Sequence, residues 1–222
     1  MTDAEVGAAM EEVRLRGKRG TAHARSADSV KQALRHGIDV IYHASFTDEE
    51  TLDMLEAAKH RVFVAPGIAI LYAMLNEAEP WGITRAKAEA MGYQVEWEAA
   101  IESLKAMHRR GVRVLPGGDY GFAFTPHGQN ARDLEFFVRH LGFTPMEAIR
   151  SATLYGGQIM MRPGELGTVR EGWLADLLLV DGDPLANLSL LRDPKRILAV
   201  MKDGRFAKAP EIASARAWER AA

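Results

Sequence analysis

Cysteine is absent from the 222 residues. Its absence excludes disulfides, thiolate metal sites and cysteine nucleophiles, and it fits a reducing compartment. An excess of either charge is also missing: 28 Lys and Arg face 30 Asp and Glu, for a formal net charge of -2. That balance leaves no electrostatic footprint for nucleic acid or an anionic membrane. No run approaches the roughly 18 apolar residues a membrane span needs, and the N-terminus lacks a basic segment leading into an apolar one. There is no low-complexity tract and no fixed-period repeat beyond the alternation described below. The expectation is a cytoplasmic protein with neither nucleic-acid nor membrane partners. Hydrophobic residues at 47% and charged residues at 26% are enough to build a core.

Periodicity divides the chain in two. Thr2 and Glu5 have capping-box spacing ahead of Val6, Met10 and Val13, which predicts a first helix. Short β-branched or apolar runs at 19–24, 38–43, 61–65 and 111–115 predict strands. Helical patterns lie between and after them: 27–35, a helix opened by a Thr47/Glu50 capping box, a broken helical region over 69–110, then 130–140 and 145–155. Strands separated by helices must run parallel, because a parallel crossover needs that length. Beyond residue 164 the texture changes to short strands at 167–169, 175–180 and 197–201, with turns at Asp181–Pro184 and Asp203–Gly204. Residues 210–222 have the pattern of a frayed helix.

Three side chains able to bind metal end predicted strands: His23 the first, His43 the second and Asp119 the fourth. C-terminal strand ends are the ligand-binding rim of parallel α/β folds, and imidazole and carboxylate suit zinc and similar divalent ions. Taken singly, each residue has an ordinary explanation as a hydrogen-bonded loop residue or a turn residue; the shared rim argues for chemistry. His127, in the loop after Asp119, and Tyr72, after the third strand, are candidate substrate contacts, though solvation or packing would account for either. His36, His60, His108 and His140 sit near predicted helix ends, where the dipole explains them. Asp176, Asp181 and Asp183 read as turn and exposed-strand residues.

With these residues in place the chain resembles the amidohydrolase superfamily, in its imidazolonepropionase-like and Xaa-dipeptidase-like branch. Residues 20–24 and 37–43 resemble the family's fifth and sixth barrel strands, each ending in histidine. Residues 115–119, Leu-Pro-Gly-Gly-Asp, are similar to the eighth strand with its aspartate, where Gly118 stands in place of the usual Thr. Residues 144–153 are similar to the helix that follows, 167–184 to the C-terminal signature, and 200–205 to the closing strand. The resemblance implies an α/β fold: the C-terminal half of a (β/α)8 TIM-type barrel, strands five to eight over residues 1–163. A small β-sandwich appendage over 164–208 and a tail over 209–222 would follow.

It also implies a metal-dependent hydrolase acting on C–N bonds of a small amide, such as a dipeptide or an N-acyl amino acid. His23, His43 and Asp119 would hold one or two divalent ions, zinc first, with Mn, Fe, Co or Ni as alternatives. A metal-activated water would attack the carbonyl, with Asp119 as general base and then general acid. The family's His-x-His and bridging lysine have no counterpart in this sequence. The alternative expectation is therefore a truncated or split half-barrel that acts only with a complementary N-terminal half or as a homo-oligomer. Four strands of an eight-stranded barrel would leave open edges and an apolar inner face.

Overall fold

The computed structural model describes residues 1–210. Helix α1 (Asp3–Leu15) opens on the expected capping box: the Thr2 hydroxyl accepts from the Glu5 amide, and the Glu5 carboxylate accepts from the Thr2 amide at 2.7 Å. Three strand–helix units follow: β1 (Thr21–Ala24) with α2 (Ala27–Arg35), β2 (Val40–His43) with α3 (Glu49–Ala57), and β3 (Phe63–Ala65) with α4 (Ile68–Asn76). The region expected as one broken helix continues through a 3-10 turn (Glu79–Trp81), α5 (Arg85–Ala90) and α6 (Tyr93–Arg109), with left-handed Gly82 and Gly92 at the breaks. A two-residue strand β4 (Arg113–Val114) leads through a loop to α7 (Arg132–Leu141), α8 (Pro145–Ala152) and α9 (Leu154–Ile159).

The four strands form one parallel sheet in the order β1-β2-β3-β4. Side chains alternate across a strand, so the pairing register sorts them into two faces. Ala22, Ile41, Val64 and Val114 share one face; Ile41 and Val64 are fully buried, in the main core with α2, α3, α4, α6 and α7. Thr21, Val40, Phe63 and Arg113 form a row on the opposite face, and His23, Tyr42 and Ala65 a second row above it. Phe63, Ala65 and Leu115 make a separate small core there, covered by Tyr155 and Ile159 of α9. The Arg113 guanidinium lies 3.8 Å from the centre of the Phe63 ring.

Several local expectations are corrected. The third helix is capped by Asp48, whose carboxylate accepts from the Thr51 amide at 2.8 Å, in place of Thr47 with Glu50. Glu50 is drawn instead to Lys31, which also bonds Asp48. The helix expected over 145–155 breaks at Thr153, and residues 167–169 are not a strand. Gly167 adopts a left-handed conformation (φ 87°) against the Thr153 carbonyl, where a side chain could not fit. His108 and His140 lie in the last turns of α6 and α7 as expected, and they are also packed against Phe143 and Trp97, where burial lowers both pKa values. The C-terminal unit is an antiparallel sheet of β5 (Leu177–Val180), β6 (Ile197–Lys202) and β7 (Arg205–Lys208). Among the described residues it is one layer; a second layer that would make a sandwich is not among them. The helix expected near the end falls on residues outside the described ones, Pro210 excepted. Among the described residues, no helix is long and apolar enough to cross a membrane.

Leu104 of α6 is fully buried in the main core. Leu104→Ala should lower stability by roughly 2–5 kcal/mol, the range for emptying a packed leucine site. A denaturant titration checks it, and a loss below about 1 kcal/mol would mean α6 is not packed on the sheet as described.

Candidate active site

The C-terminal strand ends meet at a recess of about 300 Å³ lined by His23, Tyr42, His43, Asp119, Tyr120 and His127. Strand geometry accounts for the histidines. His23 sits on the open face of β1 and is exposed, stacked 5.1 Å from the Tyr42 ring on the neighbouring strand. His43 ends β2 with a left-handed backbone (φ 75°), which bends its side chain out of the alternation that would otherwise send it to the other face. The two rings then meet, His23 Nδ1 to His43 Nε2 at 2.8 Å. Asp119 is also left-handed (φ 63°) in the turn after β4. Tyr72 does not join them: on α4 it packs against Trp97 and Phe136 and borders a separate recess with Glu77 and Arg132.

His43 is 2% exposed, and its Nδ1 is buried without a hydrogen-bond partner. Burial, then the charge of Arg25, lowers its pKa to about 4, so the ring is neutral at pH 7. A neutral imidazole is the form that binds metal. Two facing imidazoles fit a divalent ion as two of its ligands, and Asp119 offers a carboxylate on the same recess. Among the described residues, however, no three His, Asp or Glu side chains gather closely enough to enclose an ion.

One contributor was not foreseen from the sequence. Asp133, in the first turn of α7, is 1% exposed and reaches under the Asp119 turn. Its Oδ2 accepts from the Gly117 amide at 2.9 Å and its Oδ1 from the Tyr120 hydroxyl at 2.8 Å. Burial raises its pKa to about 6 against these bonds. Burial and the same carboxylate push the Tyr120 hydroxyl pKa upward. An acid in a helix's first turn ordinarily reads as a dipole partner, and only the tertiary fold turns this one inward. The turn also explains Gly118. A Cβ there would lie 2.5 Å from Asp133 Oδ1, 2.5 Å from the Tyr120 ring and 2.7 Å from Ala69 Cβ.

A sequence profile of the amidohydrolase family matches residues 98–207. The ochratoxinase of Aspergillus niger is 26% identical over 212 residues, covering 94% of this chain and 42% of that protein. An amidohydrolase of known structure superposes with a TM-score of 0.79 at 28% identity, over 95% of this chain and 49% of that one. These similarities support placing the chain in the amidohydrolase superfamily. A crystal structure of a Xaa-Pro dipeptidase with methionine bound in its active site is also similar, with a TM-score of 0.78 and 26% identity over 94% of this chain and 49% of that one. The chain thus spans about half the length of such relatives.

Two outcomes are expected of this turn. Gly118→Thr, which installs the residue usual in the family, should destabilise by about 1–3 kcal/mol through overpacking, read as a fall in the denaturation midpoint; an unchanged midpoint would show that the turn has room. Asp133 holds its proton more tightly folded than unfolded, so its contribution favours folding below about pH 4 and is lost as pH rises to about 6. Asp133→Asn imitates the protonated acid. Relative to wild type it should gain up to roughly 3 kcal/mol between pH 4 and 7, and parallel stability curves across that window would refute the assignment.

Proposed function

We propose that this chain carries part of the active site of a metal-dependent hydrolase that cleaves the C–N bond of a small amide, such as a dipeptide or an N-acyl amino acid. The observation carrying the proposal is the convergence of His23, His43 and Asp119 on one recess at the C-terminal strand ends. The match to the amidohydrolase family supports the bond type, and the names of similar proteins, ochratoxinase and Xaa-Pro dipeptidase, support the substrate class.

His23 and His43 would hold a divalent ion, with zinc the first choice and Mn, Fe, Co or Ni compatible with the same donors. When bound, such an ion acts as a Lewis acid and makes water acidic enough to be a nucleophile near neutral pH. Asp119 accepts the proton of the attacking water and returns it to the departing nitrogen, so that amide and water become acid and amine. His127 borders the recess and is placed to contact the substrate. Two imidazoles and a carboxylate leave ligand positions to fill, and among the described residues β1 presents an unpaired edge of the sheet beside His23. The reading therefore includes a complementary polypeptide or a second copy supplying further ligands across that edge.

The test is zinc content per chain, by mass spectrometry, together with hydrolysis of N-acyl amino acids and dipeptides, for the chain alone and in whatever assembly it forms. His43→Ala should lose bound zinc. Asp119→Asn should stay folded while hydrolysis falls by roughly 10²–10⁴, the usual worth of a general acid–base. Hydrolysis that survives both substitutions would overturn the proposal.

A further inference from the structure

The turn that carries Asp119 is held at every residue by a group outside it. The Gly117 amide donates to Asp133 Oδ2 at 2.9 Å, and the Gly117 carbonyl accepts from the Gly67 amide at 2.8 Å. The Gly118 carbonyl accepts from the Ile70 amide at 3.1 Å, and the Asp119 carbonyl accepts from the Thr125 hydroxyl at 3.2 Å. The Tyr120 hydroxyl donates to Asp133 Oδ1 at 2.8 Å. None of these bonds uses the Asp119 carboxylate. Asp133 is the one side chain among these partners that grips the turn on both sides of Asp119, two residues before it and one after. It does so as a buried carboxylate whose neighbour Arg132 turns away to pair with Glu77. A buried carboxylate bonded only to neutral donors is costly in a purely structural setting, and here it is spent on the one turn that presents a reacting group.

We infer that Asp133, acting with Tyr120, is the positioning residue of this site: it clamps residues 117–120 so that Asp119 keeps its left-handed backbone and directs its carboxylate into the recess. The inference rests on the proposed role of Asp119 and deepens it. Without the clamp, the turn relaxes toward right-handed or extended backbone, which an aspartate prefers by about 1–2 kcal/mol, and the carboxylate leaves its aim.

The experiment is hydrogen exchange of the full chain followed by mass spectrometry, comparing a peptide spanning 115–122 with one spanning 62–66, alongside the hydrolysis assay. Asp133→Leu should speed exchange over 117–120 by at least about tenfold while 62–66 keeps its protection, since local opening is separable from global unfolding. Tyr120→Phe, which removes one bond and leaves the core intact, should produce a smaller rise confined to the same segment and carries the test if the leucine variant does not fold. Asp133→Asn can still accept from Gly117 and donate to Tyr120, and should restore protection. In the assay, Tyr120→Phe should lower kcat several-fold with KM nearly unchanged. The inference is overturned if 117–120 exchanges as in wild type in Tyr120→Phe and in Asp133→Leu, or if 62–66 loosens equally, which would make Asp133 a general fold residue. A loosened turn together with hydrolysis that ignores Asp119→Asn would leave the clamp standing and sink the acid–base reading. Hydrolysis that needs Asp119 but is indifferent to a loosened turn would do the reverse.

Discussion

Everything in the site follows from the parallel pairing of β1 to β4. Parallel strands place all their C-terminal ends on one edge, and a register without slips aligns His23 with Tyr42 and Tyr42 with Ala65 along one row. Residues separated by scores of positions in sequence are thereby brought within hydrogen-bond reach without a single long-range covalent link. The helices fulfil the other half of the constraint. They cover the Ile41–Val64–Val114 face completely, which leaves the opposite face as the place where polar chemistry can sit.

That opposite face is graded along the strands. Near the strand starts, α9 closes over Phe63, and the Arg113 guanidinium lies over the Phe63 ring. Toward His23 and His43 at the strand ends the recess opens. His23 is exposed there, whereas His43 beside it is 2% exposed. The Asp119 turn lies at the boundary, with α4 and α7 beneath it and the recess above.

How far this could be read from the sequence depended on how local the cause was. His23 and His43 were legible because strand runs of β-branched and apolar residues end at His43 and one residue past His23, and strand ends have a known address in parallel folds. The Thr2 and Thr144 caps were legible because their bonds span three residues. Asp133 was not, since its partners lie thirteen to sixteen residues away across a loop without regular structure. Tyr72 looked placed for the recess because it follows β3. One turn of α4 carries it instead onto Trp97 and Phe136, a rotation that chain order does not reveal. Gly118 looked like a departure from the family pattern, and only the crowding by Asp133, Tyr120 and Ala69 shows why no larger residue stands there.

Of the five non-glycine residues with left-handed backbone among the described residues, His43, Ala44 and Asp119 lie at or beside the recess. Glycine would take up those conformations without a steric penalty, so a chain selected for stability alone would drift toward glycine there. Holding an imidazole and a carboxylate at such positions means that substitutions favouring thermal robustness and the roles proposed for His43 and Asp119 pull on the same codons in opposite directions. Stabilised descendants obtained by undirected selection would be expected to lose the rim first and the helices last.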